Sequence, residues 1–166
     1  AYDTLLEVAV LLIAIVGLWV LNARAPALPR VDPDPLYEAM LRVLVPLLTC
    51  LAGYLLWLGS FAPGGAFQAG AVLAAALTLL LLSATPSVPG RTDNVPLRAF
   101  LSAGLLVFCA VGAATTLRGG ALLEYRHGQA KNLILLIEAV LTVSVALTLL
   151  MLFKGGRPAA RDEQAR

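Results

Sequence analysis

The sequence predicts an all-α, polytopic membrane bundle of five transmembrane helices, and three observations carry that prediction. Only 13% of the 166 residues are charged, against 60% hydrophobic; soluble domains carry about 25% charged residues. The apolar residues fall into five blocks, each near the roughly 17–25 residues that cross a hydrocarbon core. No block alternates with period two, so the strands of an outer-membrane barrel do not fit. Backbone groups in lipid then have to bond within their own segment, as they do in a helix.

The first block covers residues 5–21 and is interrupted only by Glu7. Its flank is acidic (Asp3, Glu7), which does not suit a signal peptide. Thr4-Leu5-Leu6-Glu7 has the form of a capping box, in which Thr4 bonds the first-turn backbone and Glu7 reaches back. An acidic residue there also suits the positive end of the helix dipole. A carboxyl at a helix mouth is, less strongly, also a candidate for lining an ion path. Residues 23–38, with Pro26, Pro29, Pro33 and Pro35 and mixed charge, read as a surface linker.

The second block, 39–59, contains Pro46, which predicts a kink and a freed carbonyl. It is joined to the third, 67–84, by an uncharged turn over 60–66. Pro63 opens that turn, and Gly64 and Gly65 supply the backbone freedom that so tight a connection needs. Ala66, Gly70 and Ala74 then recur every four residues, a small-residue ridge for close helix packing. The double glycine is not a phosphate loop, because the Walker lysine is missing. A second proline-bearing connection, 83–96, leads to the fourth block, 99–117; the fifth covers 132–153, and 154–166 is a polar tail. Cys50 and Cys109, in mid-block, read as small fillers of helix interfaces. His127, beside Tyr125 and Arg126, reads as a solvent-exposed loop residue.

Glu138 is the most informative residue. It lies about two turns into the fifth block, where a charge costs about 2.5–3.5 kcal/mol by insertion scales. Lys131, Leu135, Glu138 and Thr142 form one stripe by helical spacing. One reading is a proton- or cation-handling site at a subunit interface; the other is a structural carboxyl hydrogen-bonded to a neighbouring helix. No nucleophile–base pair, metal-ligand spacing or cofactor fingerprint is present, so the chain is expected to be neither an enzyme nor a cofactor binder. No basic cluster interleaved with aromatics suggests nucleic acid. The positive charges are unevenly placed. Arg24, Arg30, Arg42, Arg91, Arg98, Lys154, Arg157, Arg161 and Arg166 fall on one side of a five-helix topology, and Arg118, Arg126 and Lys131 on the other. The positive-inside rule puts the C-terminus in the cytoplasm and the N-terminus outside.

At this point the residues resemble a family. Arg42, Pro46, Gly53, Tyr54 and Gly59, followed by Pro63-Gly64-Gly65-Ala66-Phe67-Gln68-Ala69-Gly70, are similar to the small B-type component of the Mrp-type multisubunit sodium/proton antiporters. That family typically reads Gly-His-x-x-Pro-Gly-Gly-Gly-Phe-x-Gly-Gly here. Leu136-Ile137-Glu138-Ala139-Val140 resembles its last-helix motif, and the likeness extends from about Glu38 to Phe153. Ser60 stands where the family has histidine, and Ala66 and Ala69 replace two motif glycines. Tyr2-Asp3-Thr4-Leu5-Leu6-Glu7-Val8 instead resembles a Phe-Asp-Thr-x-Gly-Glu segment near the C-terminus of the large A-type component of the same antiporters, also found in a small subunit of membrane-bound hydrogenases.

The organisation so implied is an A-like helix over 1–22, the linker over 23–38, a B-like four-helix membrane domain over 39–153 and a cytoplasmic tail over 154–166. The resemblance implies a non-catalytic subunit in a bacterial or archaeal cell membrane. Its partners would be the other membrane subunits of a complex related to the membrane arm of respiratory complex I, exchanging Na+ for H+. The same module also resembles parts of membrane-bound hydrogenases and of inorganic-carbon uptake complexes; a purely structural scaffold is the third possibility.

Overall fold

The computed structural model describes residues 2–21, 34–59, 61–83, 95–117 and 130–154, which form five α-helices and, among the described residues, no strand. They are α1 (Tyr2–Val20), α2 (Pro35–Leu58), α3 (Ala66–Leu82), α4 (Val95–Leu117) and α5 (Ala130–Lys154). Asp3–Val20, Pro35–Leu58 and Ile134–Lys154 are long and apolar enough to cross a membrane. The 17 residues of α3 extend about 25 Å at 1.5 Å per residue, the short end of the spanning range. The 23 residues of α4 hold a continuous apolar stretch, Ala99–Ala114.

Each apolar block is thus a helix, but two local expectations change. The linker read over 23–38 is helical from Pro35 onward. Asp34 caps α2 by accepting the Leu36 amide at 3.1 Å, and Pro35 sits where a helix has no use for an N–H. The apolar block starts later than the helix because Glu38, in the first turn, interrupts it and pairs with Arg42 at 3.5 Å on the exposed side. The capping box over Thr4–Glu7 is not formed: α1 already begins at Tyr2, so Thr4 lies within the helix and cannot be its N-cap. Pro46 is inside α2, which continues as one helix, with the ring on its exposed side.

α5 is the centre of the bundle. It packs against all four other helices, which otherwise pair as α2 with α3 and α1 with α4. One apolar cluster joins Val8, Ala66, Phe108, Ile137, Leu141 and Val145; a second, further along α5, joins Ile15, Leu101, Leu150 and Met151. In the first turn of α2, Tyr37 donates its phenol proton to the Leu79 carbonyl at 3.0 Å and ties together the end of the α2–α3 hairpin remote from its turn.

Two glycines let the helices touch. A Cβ on Gly70 would stand 2.7 Å from Val145 Cγ1 and 3.0 Å from the Thr142 carbonyl; one on Gly104 would stand 2.8 Å from Ser144 Cβ. The expected ridge is therefore present, with Ala66, Gly70 and Ala74 all buried. Where α4 crosses α5, the buried Ser144 hydroxyl donates to the Leu101 carbonyl at 2.7 Å. Interhelical bonds of this kind contribute about 0.6–1.7 kcal/mol in membranes. Ser144→Ala is expected to cost stability within that range, read as a lower thermal unfolding midpoint in detergent, and to leave the fold intact; an unchanged midpoint would show that the bond contributes nothing. Cys50 and Cys109 depart from expectation. Both are exposed on the outside of the bundle rather than buried between helices, because an all-apolar helix gives no pattern marking which face turns inward.

Candidate cation and proton site

α2 and α3 are joined by a turn built on one carbonyl. The amides of Gly59 and Gly65 both donate to Leu55 O, each at 3.1 Å. Bringing the two segments to one acceptor presses their backbones together. A Cβ on Gly59 would lie 2.5 Å from Gly65 Cα, and one on Gly64 would lie 2.7 Å from Leu55 O. Gly59 itself is in ordinary helical conformation (φ −56°, ψ −19°), so it is glycine for want of space. Gly65, at φ +117°, is glycine for its backbone angle. Pro63 is exposed in this turn, and Phe67 packs against the first apolar cluster.

Glu138 closes the arrangement. Its Oε2 lies 3.2 Å from the point where a Gly59 Cβ would be, and its Oε1 lies 3.9 Å from the corresponding point at Gly65. The turn therefore meets α5 eight residues past Ala130, about 12 Å along the helix. Glu138 Oε2 is shut off from solvent and has no hydrogen-bond partner. The carboxyl also stands at the N-terminal end of α3, where Gly65 provides no capping side chain. First-turn amides have no intrahelical acceptor, and that end of a helix is partly positive. Gln68 Oε1 lies 3.8 Å from the same Gly65 point, so an amide oxygen and a carboxyl oxygen border one small region from two helices.

The magnitudes decide what the arrangement can do. A helix N-terminus favours a carboxylate by about 0.3–1 kcal/mol, up to about 2 in partly buried settings. Burying the charge costs about 2.5–3.5 kcal/mol. The dipole offsets only part of this cost, which leaves room for a cation or a proton to contribute. The donors are all oxygen, which suits a hard cation rather than a thiolate or imidazole metal. Among the described residues no three of His, Cys, Asp and Glu come together as a metal site.

The other expected site residues are distributed differently. Thr142 is buried one turn beyond Glu138, but its hydroxyl donates to the Glu138 backbone carbonyl at 2.7 Å rather than to the carboxyl. Glu7 is exposed on α1, while its neighbour Val8 takes the inward position in the first cluster. Glu7 and Glu138 are not brought into one site. Lys131 is in the first turn of α5; its side chain lies outside the described residues, as do Ser60 and His127. A cleft of about 300 Å³ between α1 and α4 is lined by Leu12, Ile15, Val16, Trp19, Leu101 and Ser102. It holds no ionisable side chain and is not the site. The roles of Gly59 and Gln68 do not emerge from the sequence. Both lie in the turn motif, but nothing in their spacing points to a glutamate in another helix.

Fold and site together define a membrane helix bundle that holds one solvent-shielded carboxyl against a glycine turn. The chain belongs to the family described as "Domain related to MnhB subunit of Na+/H+ antiporter", whose model matches residues 36–156. The match takes in α2 to α5 and both halves of the site, and it bears out the resemblance to the B-type antiporter component. No curated protein and no solved structure matches this chain. α1 lies outside the matched residues.

Proposed function

We propose that this chain is a non-catalytic membrane subunit of a multisubunit Na+/H+ antiporter complex, and that Glu138 is its ion-handling carboxyl, binding Na+ or H+ at the α2–α3 turn. One observation carries the reading: the Glu138 Oε2 is enclosed, unpartnered and pressed against the Gly59–Gly65 backbone. A purely structural carboxyl would be hydrogen-bonded to a neighbour, since buried polar groups are normally paired. The partners are other membrane subunits. The N-terminus and the turn face outside and the C-terminus faces the cytoplasm, as the distribution of Arg and Lys suggests. The test is Na+/H+ exchange by membrane vesicles carrying the complex with Glu138→Gln. Normal exchange by a normally assembled complex would reduce Glu138 to a structural group.

A further inference from the structure

The bundle is not equally open on the two sides of Glu138. Glu138 as a whole is half-buried although its Oε2 is enclosed, and on the turn side its neighbour across Gly65, Gln68, is exposed. In the opposite direction the interior is closed by apolar packing. On α5, Leu141, Val145, Ala146, Leu150 and Met151 are all buried, and the second apolar cluster brings Ile15 and Leu101 against the last two. α3 covers the same stretch with the buried Ala74 and Ala76.

The hydroxyls of α5 do not bridge that packing. Thr142 donates to the Glu138 carbonyl at 2.7 Å, Ser144 to the Leu101 carbonyl at 2.7 Å and Thr148 to the Ser144 carbonyl at 2.8 Å. Each hydroxyl proton is held by backbone, and none is directed to the carboxyl. A proton wire needs successive groups that both donate and accept, and a cation needs water or oxygen ligands in place of its hydration shell. Along α5 beyond Glu138 the buried hydroxyls are each spent on a backbone carbonyl, and none of these bonds passes to another side chain.

We propose that Glu138 is reached by water and ions from one side of the membrane only, the side that carries the α2–α3 turn. This inference rests on the assignment of Glu138 as the ion-handling carboxyl. A carboxyl with a single approach takes up and releases its ion on that side. Passage across the remaining thickness falls to groups on a neighbouring subunit rather than to this chain's interior.

Cysteine accessibility tests this without reference to transport. The full chain, with Cys50→Ser and Cys109→Ser, is expressed with its partner subunits and carries one added cysteine at a time. A membrane-impermeant thiol reagent is applied to right-side-out and to inverted vesicles. Phe61→Cys, in the exposed turn, reports the turn side, and Glu38→Cys, at the other end of α2, reports the opposite side. Glu138→Cys is expected to react at least about tenfold faster from the Phe61 side than from the Glu38 side. Gln68→Cys, at an exposed position on the turn side, is expected to show the same sidedness. Thr148→Cys is expected to stay unlabelled from both. Faster or equal labelling of Glu138→Cys from the Glu38 side, no labelling from either side, or labelling of Thr148→Cys from the Glu38 side would overturn the inference. A sidedness result and the exchange activity of Glu138→Gln are separate measurements, so failure of one does not masquerade as failure of the other.

Discussion

Glu138→Gln is expected to reduce Na+/H+ exchange by at least about tenfold, equivalent to about 1.4 kcal/mol, with complex assembly unchanged. Glutamine matches glutamate in shape, so it fits the same space beside Gly59 and Gly65, but it carries no charge and does not titrate. The loss is therefore of ion handling and not of packing. Glu138→Asp keeps the charge and withdraws it by one methylene from the turn, so exchange is expected to slow without stopping. Both variants are to be scored against the yield of intact complex. Exchange at the wild-type rate by Glu138→Gln would contradict the ion-handling role, whereas a rate in Glu138→Asp below that of Glu138→Gln would show that geometry matters more than charge.

The second large effect is expected at Gly70. Any side chain there meets Val145, whose branched Cβ holds it rigid, and the Thr142 carbonyl, which is backbone and cannot move alone. Gly70→Val therefore has to push α3 away from α5. Overpacking of a well-filled interior costs about 1–3 kcal/mol, and here the displaced contact is the main one between the α2–α3 pair and the rest of the bundle. The expected result is a large fall in recovered, folded protein and in its thermal midpoint. Gly53→Ala is the control. It lies in a helix too, but a Cβ there meets nothing within 4 Å, so alanine's better helix propensity, about 0.8–1 kcal/mol, is expected to leave stability unchanged or raised. Equal behaviour of the two variants would contradict the close α3–α5 crossing.

The five helices are legible in the sequence because length and apolarity alone define a span. The start of α2 is not, since the Asp34 cap and Pro35 precede the apolar run and the prolines around them suggest a linker. Thr4 misleads for a related reason: a short capping motif does not reveal that the helix has already begun at Tyr2. Glu138 and the Pro63-Gly64-Gly65 turn can each be singled out, one from the cost of an intramembrane charge and the other from the chemistry of tight turns. Their meeting cannot. The whole of α3 and α4 separates them in the chain, and it is the packing of α3 on α5, through Gly70, that sets the turn level with the carboxyl. The outward positions of Cys50 and Cys109 are illegible because helices apolar all round carry no periodic signal of facing.

The central place of α5 has a consequence for biogenesis. Helices reach the membrane in chain order, and α5 follows the other four. α2 and α3 can settle as a hairpin as soon as both have been inserted, and α4 can find α1 later, but what joins these pairs is chiefly their packing on α5. Until it arrives, the small-residue face of α3 and the Gly104 face of α4 stand open to lipid or to other newly made subunits. Between entry of the fourth and fifth helices the maturing chain thus stands as two separate pairs, and a chaperone or partner subunit that engages those faces has its opportunity before the fifth helix enters.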